Sequence, residues 1–595
     1  MSHPPVVPAD AMPPRVVEGV TDRPDDHAPR GMRRGLTSYG DADFSLYLRK
    51  AFIKAMGYSD DALSRPIVGI TDTYSAFNPC HRTVPELIGA IERGVMLAGG
   101  LPMRFPVVSM HESFSHPTSM YLRNLMSIDV EEMVAAQPMD AVVLIGGCDK
   151  TVPALLMGAA SADVPAVMTV TGPMMTGDHR GERLGACTDC RRFWARFRAG
   201  EIEAAEIDEV EGKLAPTAGT CAVMGTASTM ALIAETLGMM LPGGATIPAV
   251  FADRLRHAEA SGAHAVAIAR SRVTPRQVMT PAAFDNAIRV LHAVGGSTNA
   301  VIHLTAIAGR LGIPFELDRF DAIGREVPVL VDLKPSGQHY LEDMYRAGGL
   351  ATLFRELGDL LDSSVRNIDG RTVAQIVADA PPPFPQDVVR SRSAPIHVGG
   401  ALRVLRGNLA PGGAMIKQSA ASPALLRHEG RAVVFETLQD LAERIDDPAL
   451  DVAADDVLVL RNAGPRGAPG MPEAGYLPIP RKLARQGVKD MVRISDARMS
   501  GTAFGTVVLH VTPEAAAGGP LAAVRTGDRI RLDVEAGRIE LLVDDATIAE
   551  RLRGHAPPEH ARSGRGYMKL WLKEVTQADR GCDFDFLAGG SSGGR

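Results

Sequence analysis

Cysteine is scarce in this chain: six in 595 residues, too few for a secreted disulfide scaffold. In a reducing cytoplasmic setting, which is the expected location, Cys80, Cys148, Cys187, Cys190, Cys221 and Cys582 are free thiols, metal ligands or catalysts. No apolar run approaches the ~20 residues that cross a bilayer, so no membrane partner is expected. The opening residues MSHPPVVPADAMPPRVVEG lack a charged n-region followed by an apolar h-region, and no signal peptide is expected. Long basic runs are missing too, and the net charge is −7. That balance argues against a general phosphate-binding surface and against a nucleic-acid partner. An anionic substrate must then be held by local cations or by a metal. Neither a Walker loop nor a G-x-S-x-G nucleophile elbow occurs.

What remains is ordinary globular composition, 45% hydrophobic and 22% charged. Gly (60) and Pro (42) stay below low-complexity levels. Residues 1–38 are rich in Pro, Asp and Arg without periodicity, and are expected to form a mobile arm. The tail AGGSSGGR is expected to fray. From 39 to 385, the short apolar runs PIVGIT (66–71), FPVVSM (105–110), AVVLIGG (141–147) and PAVMTV (165–170) alternate with amphipathic helical stretches. This predicts an α/β domain built on a buried parallel sheet. DAPPPFPQDVV (379–389) reads as a linker. From 386 to 595, runs such as RAVVFET, DVLVLRN, DMVRISD and GTVVLHV, split by Pro/Gly turns, predict a smaller β-barrel-like domain.

The most informative segment is GGCDKT (146–151), directly after the strand AVVLI. It puts Cys148, Asp149 and Lys150 at the carboxyl end of a parallel strand, where open α/β sheets bind ligands. Thiolates select iron–sulfur or zinc, whereas carboxylates select Mg²⁺. Adjacent Cα atoms are ~3.8 Å apart, so two different metals could sit side by side. A buried Cys beside a surface Asp–Lys pair is the plainer alternative. Cys80, in the turn FNPCHR, precedes a helix, and Cys221, in AGTCAVMGTAS, reads as opening another. A helix N-terminus favours thiolate. Taken singly, each cysteine reads equally as a small buried hydrophobe.

Cys187-Thr188-Asp189-Cys190 suggests zinc or redox chemistry, but no second C-x-x-C completes a zinc site, and it stays unassigned. Cys582 reads as a bystander. Glu112, in SMHESFSHPTS, is a carboxylate after the strand FPVVS, with His111 and His116 as acid/base groups, zinc ligands or plain loop residues. Glu473 lies in a Gly/Pro-rich loop after DVLVL, and Ser500 and Thr502 lie in a Gly turn of SDARMSGTAFG. A helix N-cap is the alternative for that serine. As a base, a serine needs nearby positive charge to stabilise its alkoxide.

NPC (78–80), GGCDK (146–150), GTC (219–221), PGMPE (469–473) and SGT (500–502) occur in one order, with GGSTNA (295–300) and GNLAPGGAMIK (407–417) between them. This ordered set resembles the dihydroxy-acid and sugar-acid dehydratases, the IlvD/Edd family, over roughly residues 40–585. The resemblance implies a [2Fe–2S] cluster on Cys80, Cys148 and Cys221. It also implies Mg²⁺ on Glu112, Asp149, Glu473 and a carbamylated Lys150. Ser500 matches the family's catalytic base and Thr502 its neighbour. A homodimer or homotetramer is implied, with a small-molecule hydroxy-acid substrate. HESFSHPTSMYLRN and RNAGP look more like the sugar-acid branch than the branched-chain branch, which carries HDG- and YEGP-type segments. An aldonate such as arabinonate, xylonate, galactonate or fuconate is therefore expected. The competing readings are a branched-chain dihydroxy-acid dehydratase, a non-catalytic iron–sulfur carrier or redox sensor, and a zinc hydrolase.

Overall fold

A computed structural model describes residues 31–36, 38–560 and 563–589. Most of the expected N-terminal arm, and most of the expected fraying tail, lie outside them. Gly31–Arg33 forms a short 3-10 turn seated on the body: Gly31 N–H donates to Asp140 Oδ1 (2.8 Å), and Met32 is buried.

Four parallel strands, β1 (Ile67–Asp72), β2 (Leu101–Pro106), β3 (Ala141–Gly146) and β4 (Ala166–Val170), form a sheet in the order β2-β1-β3-β4. The runs in β3 and β4 are wholly apolar or small and buried along their length, as sheets covered on both faces require. The helices Val84–Leu97, Ser119–Ala136 and Thr151–Ala162 make the crossovers. Beyond them the chain adds a small hairpin of β5 (Gly177–His179) and β6 (Glu182–Leu184), then a long helical stretch. The chain leaves β1 toward one side of the sheet and β3 toward the other. The loops after β1 and β3 therefore flank the topological switch point, where a crevice opens.

The expected strand 105–110 is displaced: β2 ends at Pro106, and VVSM is loop. Register explains it, since β1 pairs Val68 with Pro102 and Asp72 with Pro106. Proline lacks an N–H to donate, so this strand is tolerated only at the sheet edge.

The second unit is a closed eight-stranded barrel of β7 (Arg403–Gly407), β8 (Ala410–Ile416), β9 (Arg427–Phe435), β10 (Val457–Leu460), β11 (Arg493–Ser495), β12 (Val507–Thr512), β13 (Arg529–Asp533) and β14 (Arg538–Leu541). Its order is β10-β11-β12-β8-β7-β14-β13-β9. Period-2 alternation separates its two faces. Ala432 and Val434 join the inner core with Val457 and Val459. Val433, Phe435, Leu458 and Leu460 face a second cluster with Leu441 and Leu483.

After the barrel, the Gly566–Glu574 helix returns to the α/β unit. Trp571 packs against Tyr121 (ring centroids 5.2 Å apart) and donates its Nε1–H to Pro465 O (2.8 Å). No helix among the described residues is long and apolar enough to cross a membrane.

Candidate functional site

The strand-end loops of both units meet in one cleft. From the sheet, the loop after β1 brings Cys80, the loop after β2 brings His111 and Glu112, and the turn after β3 brings Cys148, Asp149 and Lys150. From the barrel, the loop after β10 brings Glu473, and the loop after β11 brings Arg498, Ser500 and Thr502. Close approach of the two units needs glycine. A Cβ on Gly470 would lie 2.7 Å from Thr118 Oγ1 and from Tyr121 Cβ, and its φ is +88°. A Cβ on Gly501 would lie 2.6 Å from Ser297 Cβ.

Two donor groups adjoin through the Cys148–Asp149 peptide. In the softer one, ligand atoms of Cys80, His111 and Cys148 lie within 4.8 Å of one another. In the harder one, carboxylate oxygens of Glu112, Asp149 and Glu473 lie within the same distance. Cys148 Sγ reaches Asp149 Oδ1 at 3.4 Å across the boundary.

His81 sets the turn that carries Cys148. Its Nε2 accepts from the backbone N–H groups of Gly147 (3.0 Å) and Cys148 (3.1 Å), so Nδ1 carries the proton and donates to Thr73 O (2.8 Å). Burial holds this ring neutral, pushing its pKa down to about 4. The Cys80 thiol is lowered to about 6, chiefly by a hydrogen bond from Cys148, with His111 adding to the effect. Burial opposes charge on His111, but the Cys80 thiolate outweighs it and raises the imidazole pKa.

In the carboxylate pocket two buried cations balance three acids. Lys150 is fully buried, ion-paired to Asp149, and stands 3.7 Å from both Glu112 and Glu473. Arg498, also fully buried, donates to Glu112 (2.7 Å) and Glu473 (2.5 Å). Ser119 donates to Glu112, and Asn299 Nδ2 to Glu473 Oε1 (3.2 Å). Despite burial, the charges of Arg498 and Lys150 hold Glu112 down at about 2. Burial dominates for Glu473, whose pKa is raised.

Cys221 does not open a helix. The helix starts at Thr226, and Cys221 sits in the loop before it. Its sulfur lies 3.6 Å from Cys187 Sγ, and the Cys80 thiolate adds to the upward shift that Cys187 and burial give it. The C-x-x-C pair thus joins the thiol region: Cys187 is lowered by hydrogen bonds from Cys190 and Cys221. Ser500 caps no helix. Its hydroxyl pairs with Thr502 Oγ1 (2.8 Å), and Thr502 O accepts from Thr188 Oγ1 (3.0 Å), next to Cys187. His116 is exposed and outside both donor groups. Cys582 is buried below the Glu473 loop, with its thiol 3.7 Å from Met471 Sδ. Arg498, His81 and the close approach of Cys187 to Cys221 escaped the sequence reading. A conspicuous Arg two residues before Ser500 was the one local signal available.

The donor sets suit both implied groups. Replacing the Lys150 ammonium by a carbamate while adding a divalent cation leaves the pocket's net charge unchanged. All of its donors are then hard oxygens, as Mg²⁺ prefers. The thiols and the imidazole beside it are iron ligands by type.

The family profile described as "Dihydroxy-acid/6-phosphogluconate dehydratase N-terminal" matches residues 65–376, and its C-terminal counterpart matches residues 387–582. An L-arabonate dehydratase of Azospirillum brasilense is 49% identical over 560 residues, covering 93% of this chain and 96% of that protein. A 6-deoxy-6-sulfo-D-gluconate dehydratase of Pseudomonas putida is 46% identical over 536 residues, 90% and 92% of the two chains. A dihydroxy-acid dehydratase of Thermodesulfovibrio yellowstonii is 36% identical over 540 residues, 89% and 96%.

Proposed function

The chain belongs to the dihydroxy-acid/6-phosphogluconate dehydratase family, and from that premise we propose that it dehydrates a sugar acid. The substrate is a 2,3-dihydroxy carboxylate of the aldonate class, such as arabinonate, xylonate, galactonate or fuconate, and the product a 2-keto-3-deoxy acid. Greater similarity to relatives named for sugar acids, 46–49% identical, than to one named for a dihydroxy acid, 36% identical, supports that class. The observation that carries the chemistry is the adjacency of a thiol group and a carboxylate group, with Arg498, two residues before Ser500, bound to two of the carboxylates.

Cys80, Cys148 and Cys221 would hold a [2Fe–2S] cluster. Glu112, Asp149, Glu473 and a carbamylated Lys150 would hold Mg²⁺. When bound, these groups supply Lewis acidity to the leaving 3-hydroxyl and to the carboxylate and 2-hydroxyl. Ser500 Oγ takes the proton from C2, and the Thr502 hydroxyl fixes its direction through their 2.8 Å contact. Arg498 donates to both Glu112 and Glu473, which holds the two carboxylates together and offsets part of the cost of their charge. The 3-hydroxyl departs as water with the proton that Ser500 Oγ gives up, leaving an enol that tautomerises to the keto acid.

The exposed aromatic pair Phe44 and Tyr47 on one face of the Ala42–Lys54 helix, 47% and 67% exposed, supports a homodimer or homotetramer. A cytoplasmic location fits the six unpaired thiols.

The test is a keto-acid assay on anaerobically purified protein with several aldonates and 2,3-dihydroxy-3-methylbutanoate, with iron, sulfide and Mg²⁺ analysis. Aldonate turnover that chelation of Mg²⁺ abolishes, and that Ser500→Ala lowers at least ~100-fold with metals retained, is the expected result. Selective turnover of the branched acid, or near-wild-type turnover by Ser500→Ala, would refute it.

A further inference from the structure

Lys417 directly follows β8 inside the protein, in the segment GNLAPGGAMIK, and its side chain is fully buried. Among the described residues its ammonium makes no ion pair, and its hydrogen-bond acceptor is Gly501 O, at 3.4 Å. That carbonyl lies between Ser500 and Thr502. Charged and titratable groups on the surrounding elements are engaged elsewhere. Arg403 on β7 is bound to Asp321, and Asp490 is bound to Arg493 and to Thr506. Burial keeps His510 on β12 neutral. Arg498 is taken up by Glu112 and Glu473.

A buried cation without a counter-ion is costly. Burial alone, with no opposing charge, brings the Lys417 pKa down to about 7. An isosteric apolar residue would fill the same space at less cost, so packing does not account for a lysine here. An anion that forms beside it during turnover does.

We propose that Lys417 is a positioning residue for Ser500, its ammonium serving as charge partner to the Ser500 alkoxide through the Gly501 turn. The inference rests on Ser500 acting as the base. Oγ must be without its proton to accept the one on C2; the proton it gives up leaves with the departing 3-hydroxyl as water, and a cation held in a low-dielectric site lowers the cost of the transient anion. Once Oγ takes the C2 proton, the anion is gone and Lys417 is again unpaired. The charge acts only along the reaction coordinate, so it bears on kcat and not on substrate affinity. Above its pKa the amine is neutral and the assistance is lost, which gives kcat an alkaline limb.

The experiment compares wild type, Lys417→Met, Lys417→Arg and Ser500→Ala as holoenzymes, with kcat and KM from pH 6 to 9, and with iron content and thermal midpoint. Lys417→Met is expected to keep its iron and to melt no lower than wild type, because a buried charge has been removed. Its kcat should fall about 100-fold, the scale of losing one transition-state charge partner, with KM within about 3-fold. Lys417→Arg should restore part of kcat and move the alkaline limb upward, since guanidinium stays charged throughout. If Ser500→Ala is inactive while Lys417→Met keeps wild-type kcat and the same alkaline limb, the Lys417 role is wrong and the base assignment stands. If Ser500→Ala is itself active, the underlying reading falls. Should Lys417→Met not fold, Lys417→Arg decides: an unmoved alkaline limb overturns the proposal.

Discussion

His81 offers a quantitative test of how the Cys148 turn is built. Replacing it with Phe keeps an aromatic ring in the buried site but removes both nitrogens. Cys148 N–H and Thr73 O then lose their partner, at 3.1 and 2.8 Å, while Gly147 N–H keeps a second acceptor in Thr151 Oγ1 at 3.2 Å. At about 1–3 kcal/mol for each of these two buried polar groups left unmade, the loss is at least ~2 kcal/mol. The effect also carries a pH signature. In the folded protein the His81 pKa is about 4, below the 6.5 of a free histidine. Between those values the unfolded chain binds the extra proton, so this histidine's contribution is present above pH ~6.5 and is lost as pH falls toward 4. A depression of two to three pKa units corresponds to roughly 3 kcal/mol. Urea unfolding of wild type and His81→Phe, followed by circular dichroism at pH 7.5 and pH 5, measures both quantities. The variant should unfold at markedly lower urea at pH 7.5, and the gap should narrow at pH 5. Equal midpoints at pH 7.5, or a gap that widens on acidification, would show that His81 does not hold the turn as a neutral acceptor.

Two further outcomes are expected. Cys187 and Cys221, with sulfurs 3.6 Å apart, should form a disulfide when cluster-free protein is exposed to dioxygen, both thiols giving up their protons and two electrons to the oxidant. Non-reducing peptide mapping should find the linked peptides in wild type and not in Cys187→Ser, and their absence from oxidised wild type would contradict the observed proximity. Trp571→Ala should cost about 3–5 kcal/mol, the usual range for a buried Trp truncation, and should loosen the return of the C-terminal segment onto Tyr121. Limited proteolysis should then cleave near residues 563–589 well before the barrel, and unchanged resistance there would count against this contact as the anchor.

Local signals in the sequence were enough to locate much of this protein. Cys148, Asp149 and Lys150 are contiguous, and an all-apolar strand precedes them, so one peptide already places a soft donor beside hard ones. The parallel sheet and most barrel strands were legible because burial on one face or two leaves a periodic or continuous apolar record. Where that record is interrupted, β2 was misplaced and β8 drew no strand assignment. β2 carries Pro102 and Pro106, and β8 carries Pro411, Gly412 and Gly413, residues that normally mark turns. Only edge position in one case and an irregular register in the other make them strands.

Chain order said nothing about which distant side chains would touch. Arg498 bridges Glu112 and Glu473, Lys417 lies under the Ser500 turn, and His111 stands with Cys80 and Cys148. The Arg498 and His111 contacts follow from two sets of parallel strands aiming their carboxyl ends into one cleft, whereas Lys417 arrives on β8, which runs antiparallel to its neighbours. Sequence alone therefore determined which chemical groups this protein owns and which strand ends carry them. The tertiary structure decided their charges and partners, because desolvation and Coulomb interaction depend on distances in space that spacing along a chain does not encode.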